Sequence, residues 1–338
     1  MRRIAVVSVG RSDWGHLAPV IEALGEGAFP VGYNGLGYKD DPHSVSQRMG
    51  DAVQMYADLW DGEHPDLILL FGDRYEQLAA AMASLPFAIP LAHLHGGETT
   101  VGAFDNQIRH ALTKMAHLHL VSHRRHGARV HRMGEDRWRI HVTGAPGLDR
   151  LRGVSGMRRV RPIVLLTLHP CTLEYEDTEL VVDATLAALG SISGDHDFMV
   201  TAPNADTFGG VIAKRLRDWI AVTPGAQWVE PTDEEYVFLM ASAAVMVGNS
   251  SSGILEAPSF SLPVVNIGRR QHGRLRGDNV IDVGTSAAEI AVGINLALDP
   301  TFRAGLSGVN PYGDGHAAPR IAEILRTVPL DRRLLEKR

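Results

Sequence analysis

Apolar and polar positions follow two periodicities along most of the chain. Short apolar runs, typical of buried parallel strands, are separated by amphipathic segments with helical spacing. The clearest case lies between Pro65 and His110, where the apolar runs Asp66–Phe71 and Ile89–His95 flank an Ala-rich helical segment, Tyr75–Ser84. This order predicts a βαβ unit of a parallel sheet.

The alternation of strand and helix occurs in two series. The first begins with the apolar run Ile4–Val9, and the second begins after Pro162. A segment rich in Gly, Pro and Arg, GAPGLDRLRGVSGMRRVRP, separates them without periodicity. The pattern therefore predicts an α/β protein with two doubly wound, Rossmann-like domains. The expected division is residues 1–150, residues 160–325 and a charged tail at 326–338 that frays, with the boundary between Gly147 and Pro162.

Charge and composition exclude several classes of protein. The net charge of −6 and the pI near 6.2 argue against a general nucleic-acid or membrane-surface binder. The local basic run HRRHGARVHRMGEDRWR is interpreted as a solvated helix face. No apolar run approaches the ~20 residues of a membrane span. A lone Cys171, and a strand that begins too early for a signal peptide, predict a cytoplasmic protein.

Acidic residues follow the strands of the first βαβ unit. Asp73 comes just after one strand and Glu98 just after the next, at the edge where open α/β sheets bind ligands. Asp105 opens the following helix, with Arg109 one turn later on the same face. These side chains are expected to point at one small substrate.

A small-residue loop marks the second half. In VGNSSSGILEAPS, a buried strand leads through Ser250, Ser251, Ser252 and Gly253 into a helix, an arrangement that suits a phosphate. The alternative is an ordinary N-cap made by one serine. Glu256 is a candidate partner for ribose hydroxyls. The run RRQHGRLR supplies two candidate phosphate ligands, Arg269 and Arg274.

Histidines and an amide complete the set of candidates. His169 ends the first strand of the second half and Asn204, in PNAD, ends the next; the histidine suits an acid, a base, a phosphate ligand or a structural role equally well. The pair His93 and His95 shares a strand face, but no Cys or HExxH spacing accompanies it, so no metal site is predicted. The loop after the first strand lacks GxGxxG, which disfavours a nicotinamide cofactor.

Taken together, these motifs resemble a known family. GDRYE, HLHGGETTVGAFDNQIRHALTK, TGAPGLD, PNAD, GNSSSGILEAPSF, VNIG with RQHGRLR, and NPYGDG occur in this order. The chain is similar to hydrolysing UDP-N-acetylglucosamine 2-epimerases of bacterial sialic-acid pathways, within the wider UDP-GlcNAc 2-epimerase family of GT-B fold. The resemblance implies two domains facing each other across a cleft, a nucleotide-sugar substrate, no cofactor and a homo-oligomer, dimer or tetramer.

The resemblance also implies roles for individual residues. Asp73, Glu98 and Asp105 match the family's catalytic carboxylates, and Arg109 and His169 match its cleft residues. The residues that match positions holding the diphosphate and ribose are Arg11, Ser251, Ser252 and Glu256. The implied reaction removes the C2 proton, eliminates UDP to give a 2-acetamidoglucal, and hydrates it to release the free 2-epimer.

Departures from the family pattern leave the substrate open. Trp14, His16, Arg269, His272 and Gly277 differ from the usual residues near the expected nucleotide and sugar pockets. The sugar is therefore either that of UDP-GlcNAc or a 2,4-diacetamido-trideoxy analogue, and the nucleoside and the order of acid and base stay undecided.

Three alternative functions share parts of the pattern. A non-hydrolysing 2-epimerase fits HGGETTVGAFDNQIRH less closely. A retaining GT-B glycosyltransferase carries two glutamates eight positions apart, whereas Glu256 is followed at that distance by Val264. A non-catalytic nucleotide-sugar sensor would have no need of all three carboxylates.

Overall fold

Two compact α/β units make up the described part of the chain. The computed structural model describes residues 1–33, 41–99, 105–157, 159–170, 178–203 and 209–337, without the side chains of Arg11, Ser12 and Pro42. The first unit comprises residues 1–99, 105–150 and 312–337 of this part, and the second comprises residues 151–311.

Strands and helices alternate as the hydrophobic pattern predicts. The strands are β1 (Ile4–Ser8), β2 (Ala28–Gly32), β3 (Leu67–Phe71), β4 (Leu91–Leu94), β5 (Leu118–Val121), β6 (Ile140–Val142), β7 (Ile163–Thr167), β8 (Asp197–Thr201), β9 (Ala226–Val229), β10 (Ala243–Gly248), β11 (Val264–Ile267) and β12 (Val280–Val283). The helices are α1 (Arg11–Leu24), α2 (Pro42–Glu63), α3 (Tyr75–Ser84), α4 (Asp105–Met115), α5 (Arg124–Arg132), α6 (Thr178–Gly190), α7 (Gly209–Val222), α8 (Asp233–Ser242), α9 (Ser252–Leu255), α10 (Ala287–Leu298), α11 (Pro300–Ala304), α12 (Ala317–Thr327) and α13 (Arg332–Leu335).

Each unit contains a parallel sheet with helices on both faces. The strand order is β2-β1-β3-β4-β5-β6 in the first sheet and β12-β11-β10-β7-β8-β9 in the second. The chain changes direction across the sheet between β1 and β3 in one unit and between β7 and β10 in the other. Ligands of open α/β sheets bind at the carboxyl ends of the strands beside such points.

The strands form cores because their side chains are apolar on both faces. Leu67, Ile68, Leu69 and Leu70 of β3 are fully buried, and alternate residues contribute to the two clusters on opposite sides of the sheet. The register of β3 against β4 pairs Phe71 with Leu94. Residues that follow these two strands therefore emerge at the same level of the sheet edge.

The end of the chain packs differently from the expected division. Helix α12 belongs to the first unit, not to the second, and buries Ile321 and Leu325 in the same cluster as Leu17 of α1. Asp149 fixes the start of α12, because its carboxylate accepts hydrogen bonds from the backbone N–H groups of Ala317 (2.9 Å) and Ala318 (2.7 Å). The apolar face of α12 decides its position, and nothing local in its sequence indicates which sheet it covers.

The charged tail is anchored and does not show the expected fraying. The guanidinium of Arg139, which is 2% exposed, donates hydrogen bonds to the carbonyl oxygens of Arg333, Leu334 and Glu336. Lys337 forms an ion pair with the buried Glu135 at 2.8 Å. These contacts satisfy both the buried charges and the carbonyls at the end of α13.

Glu135 is expected to make stability depend on pH. Burial raises the pKa of this carboxyl, but hydrogen bonds from His119, Lys114 and Lys337 outweigh that effect and lower the pKa from 4.5 to about 2. Since the folded pKa lies below the unfolded value, the stabilisation is complete above pH ~5 and is lost as the pH falls toward 2. Its size is about 3 kcal/mol.

The free energy of unfolding of wild type and Glu135→Gln, measured by urea titration, should therefore differ most near pH 6 and converge toward pH 2. Glu63→Gln is a matched control, because Glu63 pairs with Arg3 on the surface. A difference for Glu135→Gln that does not change with pH would contradict the assignment.

No helix in these described ranges is both long and apolar enough to cross a membrane.

Candidate functional site

A buried arginine joins two of the candidate carboxylates in the first unit. Asp73 lies just beyond β3 and Glu98 just beyond β4, while Arg109 projects from α4. Arg109 Nη2 donates a hydrogen bond to Asp73 Oδ2, and its Nη1 lies 3.9 Å from Glu98 Oε2. The Arg109 side chain is 6% exposed. The structure thus brings together Asp73, Glu98 and Arg109, with the guanidinium compensating two neighbouring negative charges.

The sequence His95-Gly96-Gly97-Glu98 forms a tight turn after β4. His95 has φ +62° and Gly97 has φ +77°, both in the left-handed region. A Cβ atom at Gly97 would lie 2.4 Å from the backbone oxygen of His126. Glycine is therefore required there. The turn folds the His95 ring back onto Glu98.

Glu98 accepts a set of converging hydrogen bonds. His95 Nδ1 lies 2.7 Å and Ser122 Oγ lies 2.6 Å from Glu98 Oε1. Ser122 Oγ also lies 2.9 Å from His126 Nδ1. Because the single hydroxyl proton of Ser122 goes to the carboxylate, His126 Nδ1 must donate to the serine oxygen. A continuous chain of hydrogen bonds therefore ends on one carboxylate oxygen.

Burial and this network set the charges of the site. Burial alone raises the pKa of Glu98, but His95 and the nearby Arg109 outweigh it and hold the pKa well below its usual range. Burial lowers the pKa of His126 to about 4. Burial likewise lowers the pKa of His93 to about 3, so its neutral ring donates from Nε2 to the carbonyl oxygen of Gly72 at 2.7 Å. That bond fixes the backbone next to Asp73.

Two further candidates of the first unit lie at helix starts. Asp105 is the first residue of α4 and is half-buried. Its carboxylate is placed where the partial positive charge of a helix N-terminus favours an anion. Arg11 is the first residue of α1, directly after β1. The structure places the backbone of Arg11 and leaves its side chain outside the described atoms.

In the second unit, Asn249 ties two strand ends together. Its side-chain oxygen accepts from the backbone N–H of His169 at 2.8 Å, and its side-chain nitrogen donates to the His169 carbonyl at 2.9 Å. The Asn249 carbonyl in turn accepts from Arg270 Nη1 (3.0 Å) and Gln271 Nε2 (2.9 Å). Burial, together with the charge of Arg270, lowers the pKa of His169 to about 4. His169 is therefore neutral at physiological pH.

A cavity of about 350 Å³ opens at this edge of the second sheet. It lies beside the point where the chain changes direction between β7 and β10. Its lining includes Leu168, His169, Asn249, Gly268, Arg269 and Thr285. Of the predicted ligand-binding residues, His169 and Arg269 contact this cavity. Arg274 lies in the following turn and is half-buried.

The serine loop forms a short, close-packed turn. Ser250 Oγ and Ser252 Oγ lie 3.1 Å apart, and Ser251 occupies the N-cap of α9 without a capping hydrogen bond from its side chain. Gly253 packs so closely that a Cβ atom would lie 2.8 Å from Val264 Cγ1. Helix α9 has four residues. Its dipole is therefore weaker than the sequence suggested, and hydroxyl and backbone donors remain as the main anion ligands.

The two remaining candidates of the second unit are Glu256 and Asn204. Glu256 is the C-cap residue directly after α9 and is 7% exposed. A buried carboxylate at this position suits hydrogen bonding to a ligand hydroxyl. Asn204 lies outside the described residues.

Sequence reasoning missed several residues of both sites. In the first unit these are Ser122, His126 and the contact of His95 with Glu98; the spacing of three residues between His95 and Glu98 was the available signal. In the second unit they are Arg270 and Tyr236. Burial raises the pKa of Tyr236, whose hydroxyl neighbours include Ser252 and Ser250. No motif marks Tyr236, because it sits within an ordinary capped helix, α8.

Within the described ranges, no group of three or more His, Cys, Asp or Glu side chains is arranged to hold a metal ion.

Comparison with known proteins identifies the class and then the family. The fold matches the crystal structure of UDP-GlcNAc 2-epimerase from Neisseria meningitidis bound to UDP-GlcNAc, with a TM-score of 0.80 and 18% identity over 96% of this chain and 99% of that one. The GT-B class predicted from the motifs is thus confirmed. The family model for UDP-N-acetylglucosamine 2-epimerase matches residues 32–326. The chain belongs to this family of enzymes, as its motifs predicted.

Two curated relatives are similar over most of their length. UDP-N,N'-diacetylbacillosamine 2-epimerase (hydrolyzing) from Legionella pneumophila is 36% identical over 87% of this chain and 79% of its own. GDP/UDP-N,N'-diacetylbacillosamine 2-epimerase (hydrolyzing) from Campylobacter jejuni is 32% identical over 83% of this chain and 84% of its own.

Proposed function

We propose that the protein is a hydrolysing 2-epimerase that converts a UDP-linked 2-acetamido sugar into UDP and the free 2-epimer. Membership of the family and the hydrolysing activity in the names of two relatives support this function. Both names also favour a 2,4-diacetamido-trideoxy sugar over N-acetylglucosamine. The observation that carries the proposal is the buried cluster of Asp73, Arg109 and Glu98 at the carboxyl edge of the first sheet.

The reaction proceeds in two stages. A base takes the proton from C2, the electrons of that bond form the C1=C2 double bond, and the C1–O bond breaks with anti geometry to release UDP. Water then adds its oxygen to C1 of the 2-acetamidoglucal. An acid delivers a proton to C2 on the face opposite to the one from which the first proton was removed, so that the configuration at C2 is inverted. Asp73, Glu98 and Asp105 supply the charge and the proton transfers for these stages.

We assign nucleotide binding to the second unit. The loop Ser250–Gly253 offers hydroxyl and backbone donors to a diphosphate, and Arg269 and Arg274 add positive charge. Glu256 is assigned to the ribose hydroxyls, and His169 lines the cavity at Asn249. Arg11 and Asn204 are assigned to the substrate from the family pattern.

Ser251→Ala and Glu256→Ala should each weaken UDP binding by about 1.5–3 kcal/mol, because each removes a hydrogen bond to a charged or buried partner. Isothermal titration calorimetry with UDP measures the change. Ser193→Ala is a matched control, since Ser193 is a half-buried serine just after α6 whose hydroxyl donates a hydrogen bond to the Gly190 carbonyl. Unchanged affinity in both site variants would refute the assignment.

Turnover of a panel of nucleotide sugars, followed by mass spectrometry, tests the function itself. We expect free 2-epimer and UDP, with solvent deuterium at C2 when the reaction runs in D₂O. An epimer still linked to UDP would indicate the non-hydrolysing reaction. Transfer to an acceptor would indicate a glycosyltransferase, and binding without turnover would indicate a sensor.

The location and the oligomeric state of the protein are also proposed from its sequence. The single cysteine favours a cytoplasmic location. A homo-oligomer, dimer or tetramer, is expected, and analytical ultracentrifugation of the purified chain tests it. A monomer at all concentrations would refute that state.

A further inference from the structure

His95 adopts a backbone conformation that a histidine seldom takes. Its φ of +62° lies in the left-handed region, where a residue with a Cβ atom is strained. Strained residues of this kind persist where the surrounding structure holds them, and they cluster at functional sites. Here the close packing of Gly96 and Gly97 holds the turn: a Cβ atom at Gly96 would lie 3.1 Å from His93 Nδ1.

The His95 ring is held in a defined orientation. Phe71 and His16 lie edge-on to it, with ring centroids 5.2 Å and 5.8 Å away. Its Nδ1 contacts Glu98 Oε1 at 2.7 Å. The side chain is 8% exposed, and among the described residues its Nε2 atom has no hydrogen-bond partner. A buried ring nitrogen without a partner is costly unless a ligand supplies one.

We propose that His95 Nε2 is the base that removes the C2 proton of the sugar, and that Glu98 acts through His95 by orienting its ring. This inference rests on the proposed 2-epimerase function and assigns a residue within it. The carboxylate of Glu98 accepts a hydrogen bond from the protonated Nδ1 of His95. The lone pair that can take up a proton is therefore on Nε2. The same pairing of carboxylate, imidazole and reacting atom serves other enzymes that abstract protons.

The step balances without any further reactant. The C2–H bond breaks, its electron pair becomes the C1=C2 double bond, and the electrons of the C1–O bond leave with UDP. The proton moves to Nε2. The resulting imidazolium is stabilised by the negative charge of Glu98, so the pair becomes neutral overall while UDP departs.

Glu98 itself is poorly suited to be that base. One of its oxygens already accepts hydrogen bonds from His95 and Ser122, and the other faces the guanidinium of Arg109. The lone pairs of its carboxylate are therefore already engaged, which makes Glu98 a weak proton acceptor. A purely structural role for His95 would explain why Nδ1 contacts Glu98. It would not explain why Nε2 is buried without a hydrogen-bond partner among the described residues.

Replacement of His95 by glycine, followed by rescue with free imidazole, tests the proposal. Glycine adopts a φ near +60° without strain, so His95→Gly removes the ring and relieves the backbone. We expect kcat to fall by about 10²–10⁴-fold while UDP affinity stays unchanged. Added imidazole should restore part of kcat, and substituted imidazoles should restore it in proportion to their basicity, a dependence that simple filling of a cavity does not produce.

Two further variants complete the design. His64→Gly is the matched control, because His64 is an exposed histidine with φ +44° at the end of α2; its turnover should equal that of wild type. His95→Asn keeps a donor near the Nδ1 position and tolerates the left-handed backbone, yet lacks Nε2. It should lose as much kcat as His95→Gly.

The outcomes separate this inference from the proposed function. A wild type that releases no free sugar from any nucleotide sugar overturns both. A wild type that incorporates deuterium at C2, together with His95→Asn turnover near the wild-type rate, overturns the role of His95 alone. A His95→Gly defect that no imidazole relieves also overturns it.

Discussion

Asp73→Asn should lower kcat by about 10²–10⁴-fold and leave the affinity for UDP nearly unchanged. Asp73 lies in the first unit, beyond β3, whereas the loop Ser250–Gly253, to which diphosphate binding is mainly assigned, belongs to the second unit. Asparagine keeps the size of the side chain and removes its negative charge and proton chemistry. The loss should therefore appear in turnover and in deuterium incorporation at C2, and not in calorimetry with UDP.

Variants of the other two candidate carboxylates, and one control variant, test whether the effect is specific to the site. Glu98→Gln and Asp105→Asn should show the same separation between turnover and nucleotide binding. Asp66→Asn is the control, because Asp66 precedes the same strand at the opposite edge of the sheet and accepts a hydrogen bond from the Arg3 N–H at 2.7 Å. Its kcat should match wild type. Full activity in all three site variants would overturn the mechanism, as would a loss of UDP affinity equal to the loss of kcat.

The neutral side chain of Asp73→Asn also leaves Arg109 with less compensation. Removing one partner of a buried ion pair typically destabilises a protein by about 3–5 kcal/mol. The unfolding midpoint of the variant must therefore be measured beside its activity. Turnover is compared only at temperatures where the variant is fully folded.

Deletion of residues 312–338 should unfold the first unit and leave the second unit folded. The deletion removes α12, which buries Ala318, Ile321 and Leu325 at 2% exposure or less. Truncation of one such large apolar side chain to alanine costs about 2–5 kcal/mol. Loss of the whole face is therefore comparable with the 5–15 kcal/mol that stabilises an ordinary domain.

Limited proteolysis with mass spectrometry measures this result. Fragments from residues 151–311 should survive, while residues 1–150 are digested. Deletion of residues 329–338 is the milder comparison, since it removes α13 and keeps α12. Glu323→Ala, on the exposed face of α12, should change stability by less than about 0.5 kcal/mol. Equal protease resistance of both units in the larger deletion would contradict the packing of α12.

Hydrophobic periodicity sufficed to predict the two sheets. Runs such as Asp66–Phe71 are apolar at every position because both faces of a parallel strand are covered. The same logic placed Asp73 and Glu98 at neighbouring strand ends, where the structure joins them through Arg109. The helix expected after the loop Ser250–Gly253 instead begins at Ser252, ends at Leu255 and is followed by a 3₁₀ turn at Ala257–Phe260. Proline at position 258 and close packing of Gly253 shorten it.

Features that depend on distant contacts were not predictable in this way. The left-handed backbone of His95 depends on how Gly96 and Gly97 pack against neighbouring elements. The position of α12 depends on the shape of its apolar face against α1, which lies at the other end of the sequence. Tyr236 approaches the serine loop only because α8 crosses beside it. None of these contacts leaves a local pattern of residues.

The return of the chain to the first unit makes the second unit an insertion. The Ala145 N–H donates to the Tyr312 carbonyl at 2.8 Å, and a Cβ atom at Gly313 would lie 3.2 Å from Gly144 Cα, so the chain leaves and re-enters the first unit at adjacent points. During synthesis on a ribosome, residues 151–311 therefore have all their packing partners before residues 1–150 do. We expect the usual order of folding, from the N-terminal domain onward, to be reversed in this protein. The apolar surface of the nascent N-terminal half that packs against α12 stays exposed until translation is almost finished. The variant that lacks residues 312–338 reproduces this incomplete state of the first unit.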